Sequence, residues 1–220
     1  SWLMLHKALY GYRKSPQLWQ MHLTRCLEGL GFERLKTEPA VFIAASGQTL
    51  LTVHVDDLLM YGQIDRIVDL YDDLAKQLTL KKTGVLRETG EKLEYIGRTL
   101  TMTEKGYRWS GSARLRDLFI EMHTAASTKF VGTPCVRYSE GQLRDQKDLG
   151  VDDVRLYRHG LGLLLYVAQD RPDLQFAALV AAQADNAPTD VDEWRLRRAA
   201  KYLYHHPTFD WIYELVEEPE

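Results

Sequence analysis

The sequence predicts an α+β fold, with an antiparallel sheet and helices in residues 1–125 and a mostly helical region after residue 150. Three observations lead to this fold class. Short apolar runs rich in β-branched residues, separated by turn residues, lie between residues 41 and 62 and between 94 and 110. Apolar residues at helical spacing precede and follow them. A polar stretch with glycine and proline, residues 129–150, then leads into a series of helical patterns.

The first predicted element is a helix in KSPQLWQMHLTRCLEGLGF. Ser15 can cap its N-terminus, Pro16 fits the first helical position, and Gly31 can end it. The next segment, AVFIAASGQTLLTVHVDDLLMYG, predicts three strands, with a first turn at Ser46–Gly47 and a second at the paired aspartates.

An amphipathic helix is expected in QIDRIVDLYDDLAKQL, and EYIGRTLTMTEKGYRWSG predicts a hairpin that turns at residues 104–106. SARLRDLFIEMHT predicts a short helix capped by Ser112. We interpret residues 129–150 as a linker. Three helices are expected after it, the third beginning with Thr189 and Asp192 at capping-box spacing. FDWIYELVEEPE predicts a strand and an acidic end.

Composition limits the kind of protein. The 220 residues suffice for one large domain or two small ones, and 45% hydrophobic residues allow a sizeable core. A net charge of −3 excludes a uniformly basic nucleic-acid binder, so contacts with nucleic acid must come from local patches. Cys26 and Cys135 fit neither a disulfide framework nor a zinc-ligand spacing.

The chain contains no apolar run long enough to span a bilayer and no signal-peptide pattern. We therefore expect an intracellular, cytoplasmic protein without membrane contact. The sequence starts with Ser1 in the middle of a pattern, so we expect a fragment of a longer chain.

The segment LLTVHVDDLLMY places two adjacent aspartates between two apolar runs. Strand alternation puts Leu51, Val53 and Val55 on one face and Thr52, His54 and Asp56 on the other, with the acidic residues at the tip of a hairpin. Two interpretations are open. Aspartate is common in ordinary turns, which spacing alone favours. Two carboxylates with a third from elsewhere can instead bind Mg²⁺, which prefers oxygen ligands.

Motifs on both sides of this segment reverse the preference for an ordinary turn and favour the metal-binding interpretation. The chain contains, in order, LHKALYGYRKSPQLW, VHVDDLLMYG, LEYIGRTL, LYRHGLGLLLYVAQDRPDLQFA and RAAKYLYHHP. Together they resemble the reverse transcriptase of copia-type (Ty1/copia) LTR retrotransposons, from about Leu3 to Tyr213. The resemblance implies a partial right-hand polymerase fold of palm and thumb. It assigns residues 1–63 to part of the palm, 64–128 to the palm end and thumb, and 129–220 to a linker and the helical connection region that precedes RNase H.

The resemblance also implies roles for the paired aspartates. Asp56 and Asp57 match the two aspartates of the family's Y-V-D-D motif, and both are candidate catalytic and metal-binding residues for a pair of Mg²⁺ ions. Asp56 would be a metal ligand and Asp57 its acidic neighbour. His54 stands where the motif has tyrosine, followed by Val55. His54 is either a variant beside the primer end or a half-buried polar residue of the sheet.

The segment ALYGYRKSPQLW matches the part of the family that shapes the nucleotide and template pocket. Gly11 would let the backbone approach a base or sugar, and Arg13 and Lys14 would meet phosphates, unless they are a solvated surface pair. Ser15 and Pro16 would start the helix behind the pocket. Between residues 7 and 36 basic residues outnumber acidic ones. The basic residues are Lys7, Arg13, Lys14, Arg25, Arg34 and Lys36, and the acidic ones are Glu28 and Glu33.

Three further features follow from the resemblance. Tyr95, Ile96 and Gly97 match the hairpin that holds the primer terminus, with a plain hairpin edge as the alternative. Arg114 and Arg116 would lie near the duplex on a thumb helix. A second basic cluster in the last long helix is better explained as a solvated face; it consists of Arg195, Arg197, Arg198 and Lys201.

The function expected from the resemblance is that of an RNA-directed DNA polymerase within a retrotransposon polyprotein. Its partners would be a template-primer, dNTPs, the upstream fingers and palm, and the downstream RNase H. The resemblance also allows a virus-like particle or the nucleus as alternative locations. A third catalytic aspartate lies upstream of LHKALYG in the family, so we expect little polymerase activity from this chain alone. The alternatives are an inactive or co-opted fragment that binds nucleic acid or a protein, and a metal-dependent nuclease.

Overall fold

The computed structural model describes residues 8–124 and 128–215 and divides the chain into two compact units, residues 1–87 and 88–220. In the described residues, no helix combines the length and apolar character that crossing a membrane requires.

The first unit packs two helices against one antiparallel sheet. Its elements are α1 (Ser15–Gly29), β1 (Phe32–Arg34), β2 (Val41–Ala44), β3 (Thr49–His54), β4 (Asp57–Gly62) and α2 (Ile64–Ala75), and its sheet order is β1-β2-β3-β4. Alternation along β3 points Leu51 into the core, where it is fully buried with Leu27 and Leu74 from the helices. The predicted helices and the three strands from residue 41 onward are confirmed.

The prediction that Ser15 caps α1 is wrong. Two successive turns, closed by bonds from the Tyr12 amide to the Leu9 carbonyl and from the Ser15 amide to the Tyr12 carbonyl, lead directly into the helix. Lys14 is therefore the N-cap and Ser15 is already helical. The Ser15 hydroxyl consequently faces the preceding loop and donates to the carbonyl oxygen of Leu9 at 2.6 Å.

The second unit combines another antiparallel sheet with a cluster of helices. Its elements are β5 (Lys92–Tyr95), β6 (Arg98–Thr103), β7 (Gly106–Ser110), α3 (Ala113–His123), α4 (Glu140–Arg144), α5 (Val151–Ala168), α6 (Pro172–Ala182), α7 (Asp190–His205) and β8 (Asp210–Glu214). The sheet order is β5-β6-β7-β8, so the last strand returns to pair with β7. The predicted hairpin and helices are confirmed, and the antiparallel α+β class with them.

Helix ends in this unit follow the predicted chemistry. The Ser112 hydroxyl oxygen accepts from the Leu115 amide at 3.3 Å at the start of α3. Asp192 accepts from the amide and hydroxyl of Thr189 at 3.0 and 2.8 Å at the start of α7. Both caps occupy backbone groups that the first helical turn leaves without helical partners.

The core of the second unit lies between α3, α5, α6 and α7. Tyr157, Phe119 and Leu164 are among its fully buried side chains, and the Tyr157 hydroxyl donates to the Ala181 carbonyl at 2.6 Å. The stretch 129–150, interpreted as a linker, is irregular apart from α4 and an isolated bridge between Asp148 and Thr189, and it packs on α7. The Tyr138 ring lies 5.4 Å from that of Trp194.

Candidate functional site

The paired aspartates lie at the end of the β3–β4 hairpin. His54 pairs with Asp57, so Val55 and Asp56 form a two-residue turn between the strands. Asp56 and Asp57 are both exposed. The predicted alternation of faces therefore stops at His54 and does not extend to Val55 and Asp56, because these two residues leave the strand conformation.

His54 is exposed at the end of β3. The interpretation as a half-buried polar residue is therefore wrong. His54 is the last paired residue of β3, and its side chain is exposed next to the turn that carries the two aspartates.

The turn has an unusual backbone at its first residue. Val55 has a φ of 57°, in the left-handed region that glycine or asparagine normally occupies. A β-branched side chain is unfavourable there, by about 1–3 kcal/mol. The Val55 side chain is 70% exposed, so burial does not offset this strain. Something else must hold the turn in this conformation.

A side chain of α1 reaches that turn. The indole nitrogen of Trp19 donates a hydrogen bond to the carbonyl oxygen of Val55 at 2.7 Å. Trp19 also packs against the core of the first unit. The SPQLW motif and the aspartate turn are therefore joined directly. From the sequence, Trp19 was expected only as one of the apolar residues at helical spacing on α1, and its bond to the aspartate turn was not predicted.

The side chains that could bind a cation at this turn are two exposed carboxylates. Neither Asp56 nor Asp57 forms a side-chain hydrogen bond or ion pair with another described residue. Carboxylate oxygens are the ligands that Mg²⁺ prefers, so the chemistry of the pair fits that ion. Within residues 8–124 and 128–215, no group of three or more acidic, histidine or cysteine side chains could hold a metal. At this turn the described residues offer two adjacent carboxylates, Asp56 and Asp57.

The loop before α1 presents the other residues predicted for this region. Gly11 has a φ of +86°, and among the described residues no atom lies within 4 Å of an added Cβ, so its role there is conformational. Arg13 and Lys14 are exposed on the same loop, as the prediction of a phosphate-facing pair requires. Lys7, which contributes to the predicted basic excess, lies outside the described residues.

The hairpin formed by Tyr95, Ile96 and Gly97 belongs to the second unit. Tyr95 pairs with Arg98, and the two turn residues Ile96 and Gly97 have φ values of 51° and 72°. Both positive values are typical of a type I′ turn, which suits glycine and strains isoleucine. Like Val55, Ile96 is a β-branched residue in a left-handed conformation at a hairpin turn.

Arg98 of β6 and Tyr166 of α5 bind the backbone of this second turn, and Asp170 in the loop after α5 binds Arg98. Arg98 Nη1 donates to the Ile96 carbonyl at 3.0 Å, and the Tyr166 hydroxyl donates to the same oxygen at 3.5 Å. Arg98 Nε lies 3.0 Å from both carboxylate oxygens of Asp170. Sequence reasoning missed these partners. Their one signal is the run YVAQDRPD, which lies in a motif that carries the resemblance and contains both Tyr166 and Asp170.

Several basic side chains of the second unit have partners within it. Arg116 donates to the Pro207 carbonyl at 2.7 Å, Arg197 pairs with Glu193, and Arg198 donates to Thr133 at 3.0 Å. Arg195 lies 2.6 Å from a carboxylate oxygen of Asp192, and its guanidinium lies 4.7 Å from the Tyr138 ring centroid. These contacts favour a structural role for the cluster on α7 over a nucleic-acid surface.

Comparison with known proteins gives the family context. The family model described as reverse transcriptase (RNA-dependent DNA polymerase) matches residues 2–124, more than half of the chain. Two Arabidopsis thaliana proteins, the retrovirus-related Pol polyproteins from transposons RE2 and RE1, are 28% and 27% identical to it over 92% of the chain. A transposon Ty5-1 protein of Saccharomyces cerevisiae is 25% identical over 91% of the chain.

These relatives are longer than the chain. It spans 14% and 13% of the two plant polyproteins and 64% of the yeast protein. No solved structure matches the chain at a significant level.

Proposed function

The chain belongs to the reverse transcriptase (RNA-dependent DNA polymerase) family, and we propose that it is the reverse transcriptase region of a copia-type retrotransposon polyprotein. In that reaction a primer 3′-oxygen attacks the α-phosphorus of a dNTP and pyrophosphate leaves. The observation that carries the proposal is the hairpin turn that presents Asp56 and Asp57 to solvent.

Asp56 and Asp57 would hold Mg²⁺ at this turn, with Asp56 as the primary ligand. Bound there, the ions would supply charge neutralisation for the attacking and leaving oxygens. The protein residues have separate tasks. The two carboxylates would fix the position of the cations, while exposed Arg13 and Lys14 on the loop before α1 would contact phosphates of the nucleotide or template.

The second unit would act on the primer. We propose that the turn at Ile96–Gly97 contacts the primer terminus, with Tyr95 beside it. The contacts from Arg98 and Tyr166 to the Ile96 carbonyl support this, because a turn that positions a nucleic-acid end must itself be rigid. In subdomain terms, residues 1–63 would be part of the palm, 64–128 the palm end and thumb, and 129–220 a linker and the connection region.

Catalysis is assigned to the parent polyprotein. A Mg²⁺ ion takes an octahedral set of oxygens, and in the described residues only the two adjacent aspartates offer carboxylates at this turn. The same observation supports a second candidate function for this chain by itself, which is binding of nucleic acid without synthesis.

Primer extension tests the proposal. In the parent polymerase, with an RNA template, a DNA primer, dNTPs and Mg²⁺, Asp56→Asn should lower extension by roughly a hundredfold or more because it removes a metal-binding charge. Binding of the duplex, measured by fluorescence anisotropy, should remain. Asp69→Asn is the matched control, since Asp69 is exposed on α2 away from the turn.

Two results would contradict the proposal. Extension that Asp56→Asn leaves unchanged would remove the metal role of this turn. Robust Mg²⁺-dependent extension by residues 1–220 alone would contradict the assignment of activity to the parent chain, whereas duplex binding without extension supports the second candidate function.

A further inference from the structure

We infer that Trp19 is a positioning residue for the Asp56 carboxylate, acting through the backbone of the aspartate turn. This inference rests on the proposed function. Its basis is the hydrogen bond from the Trp19 indole nitrogen to the carbonyl oxygen of Val55, which measures 2.7 Å and joins residues that are 36 positions apart.

The bonded carbonyl belongs to the peptide that joins Val55 to Asp56. The orientation of this peptide plane sets the direction in which the Asp56 side chain leaves the backbone. A hydrogen bond to the Val55 oxygen therefore restricts the rotation that would redirect the carboxylate. Trp19 does not touch the carboxylate, so its influence is on placement.

The turn needs this restraint because its first residue, Val55, disfavours the backbone conformation that it adopts. Val55 is β-branched and has a φ of 57°, where β-branched residues are disfavoured. With 70% of its side chain exposed, Val55 gains little from packing. Without the indole bond, the turn has access to other conformations in which the Val55 carbonyl points to solvent.

Trp19 is well placed to supply the restraint. It lies in the first half of α1 and packs against the core of the first unit, which fixes the ring. The donor nitrogen is thus carried by a helix whose position is set by buried residues such as Leu23 and Leu27. A strained turn at a functional site that is held by a rigid neighbour is the arrangement expected for preorganised ligands.

The first test is the Mg²⁺ dependence of primer extension by the parent polymerase. Trp19→Phe keeps an aromatic ring for packing and removes the donor. It should raise the Mg²⁺ concentration for half-maximal rate about fivefold, the effect of one lost hydrogen bond, and leave KM for dNTP unchanged at saturating Mg²⁺. A purely structural loss would lower the rate at every Mg²⁺ concentration without moving that midpoint. Trp194→Phe, at a residue 44% exposed in the other unit, is the control.

Val55→Gly completes a double-mutant cycle. Glycine adopts positive φ without strain, so the turn should need the indole bond less and the effect of Trp19→Phe on the Mg²⁺ midpoint should shrink in this background. Equal effects in both backgrounds would overturn the inference, as would an unchanged midpoint in Trp19→Phe. These results are distinct from a failure of the proposed function, in which Asp56→Asn itself leaves extension unchanged.

A measurement on the unmodified chain 1–220 keeps the inference testable if Trp19→Phe does not fold. In a ¹⁵N-labelled sample, the indole N–H of Trp19 should exchange with solvent at least tenfold more slowly than that of Trp194, which has no hydrogen bond to another described residue. Equal exchange rates would overturn the inference.

Discussion

Arg98 and Asp170 form a largely enclosed ion pair that joins the β5–β6 hairpin to the loop that follows α5. Arg98 Nε lies 3.0 Å from each carboxylate oxygen, and each side chain is 11% exposed. The same guanidinium donates to the carbonyl of Ile96 and, at 2.8 Å, to Gln169 Oε1. One buried charge therefore holds the turn of the candidate primer-contacting hairpin, and its neutralisation depends on Asp170.

Asp170→Asn should destabilise the second unit by about 3 kcal/mol, because it leaves the Arg98 charge poorly compensated in an enclosed site. Urea unfolding of the full chain gives the size of the effect. Hydrogen exchange should locate it, with faster exchange of the β5 and β6 amides.

Asp152→Asn is the matched control. Asp152 pairs with Arg155 on the surface and its side chain is 96% exposed, so its loss should change stability by less than about 0.5 kcal/mol. Equal effects of the two variants would contradict an anchoring role for Asp170.

The Ile96–Gly97 turn allows a second prediction. Gly97 has a φ of +72°, and a Cβ added there would lie 2.7 Å from the Tyr166 hydroxyl oxygen. Gly97→Ala should therefore cost about 1 kcal/mol for its backbone conformation and roughly another for the displacement of Tyr166. Gly90→Ala has the backbone cost alone, since Gly90 has a φ of +93° and no atom within 4 Å.

Thermal unfolding of the two alanine variants measures this difference. Adding Tyr166→Phe to Gly97→Ala should restore part of the loss by removing the clashing oxygen. If Gly97→Ala and Gly90→Ala are equally stable, Tyr166 does not confine the turn.

The third prediction concerns the contact between His123 and Gly160 in the helical core. A Cβ on Gly160 would lie 2.1 Å from His123 Nε2. The imidazole is 6% exposed, and its ring centroid lies 5.1 Å from that of Phe119, so it has little room to move. Gly160→Ala should destabilise the unit by about 1–3 kcal/mol, although alanine is the better helix former.

Gly162→Ala on the same helix is the control. Gly162 is exposed and has no atom within 4 Å of an added Cβ, so alanine should stabilise the chain by up to about 1 kcal/mol. Opposite signs for the two glycines, measured by urea unfolding, are expected. A stabilising Gly160→Ala would mean that the His123 ring moves away from the added methyl group without a loss of stability.

The elements that sequence predicted well are those with local signals. Helical periodicity, the turns at Ser46–Gly47 and at residues 104–106, and the caps at Ser112 and Thr189 each depend on residues within a few positions. The paired aspartates were likewise placed at a hairpin end. The three-residue strand β1 is too short to show alternation, and it was missed.

The features that the sequence did not predict depend mainly on contacts between distant segments. The pairing of β7 with β8 brings Ser110 to 2.6 Å from Asp210, 100 residues later, which no local pattern indicates. The bonds from Trp19 to Val55 and from Arg98 to Asp170 also join distant segments. The residues of both partners stood in the quoted motifs, but which of them meet is decided by packing. The failure at Ser15 is of a different kind, because two turns in the adjacent loop make Lys14 the N-cap and leave Ser15 inside the helix.

The pH dependence of stability provides the last prediction. Burial and, to a smaller extent, the Arg197 guanidinium lower the pKa of His123 from 6.5 to about 4, and Glu193 opposes part of the shift. The unfolded chain therefore takes up a proton below pH 6.5 that the folded chain accepts only near pH 4. Stability consequently falls as the pH decreases through this window, and above about pH 7 His123 contributes no pH dependence.

His123→Leu removes the titrating group and isolates its contribution. The free energy of unfolding of both proteins is measured by chemical unfolding between pH 7.5 and pH 4.5. The difference between the two values is free of the titration of the carboxylates that they share. The unmodified chain should lose stability relative to His123→Leu as the pH falls below 6.5, and the difference should be constant above pH 7. Parallel curves over the whole range would show that His123 is protonated as readily in the folded chain as in the unfolded one.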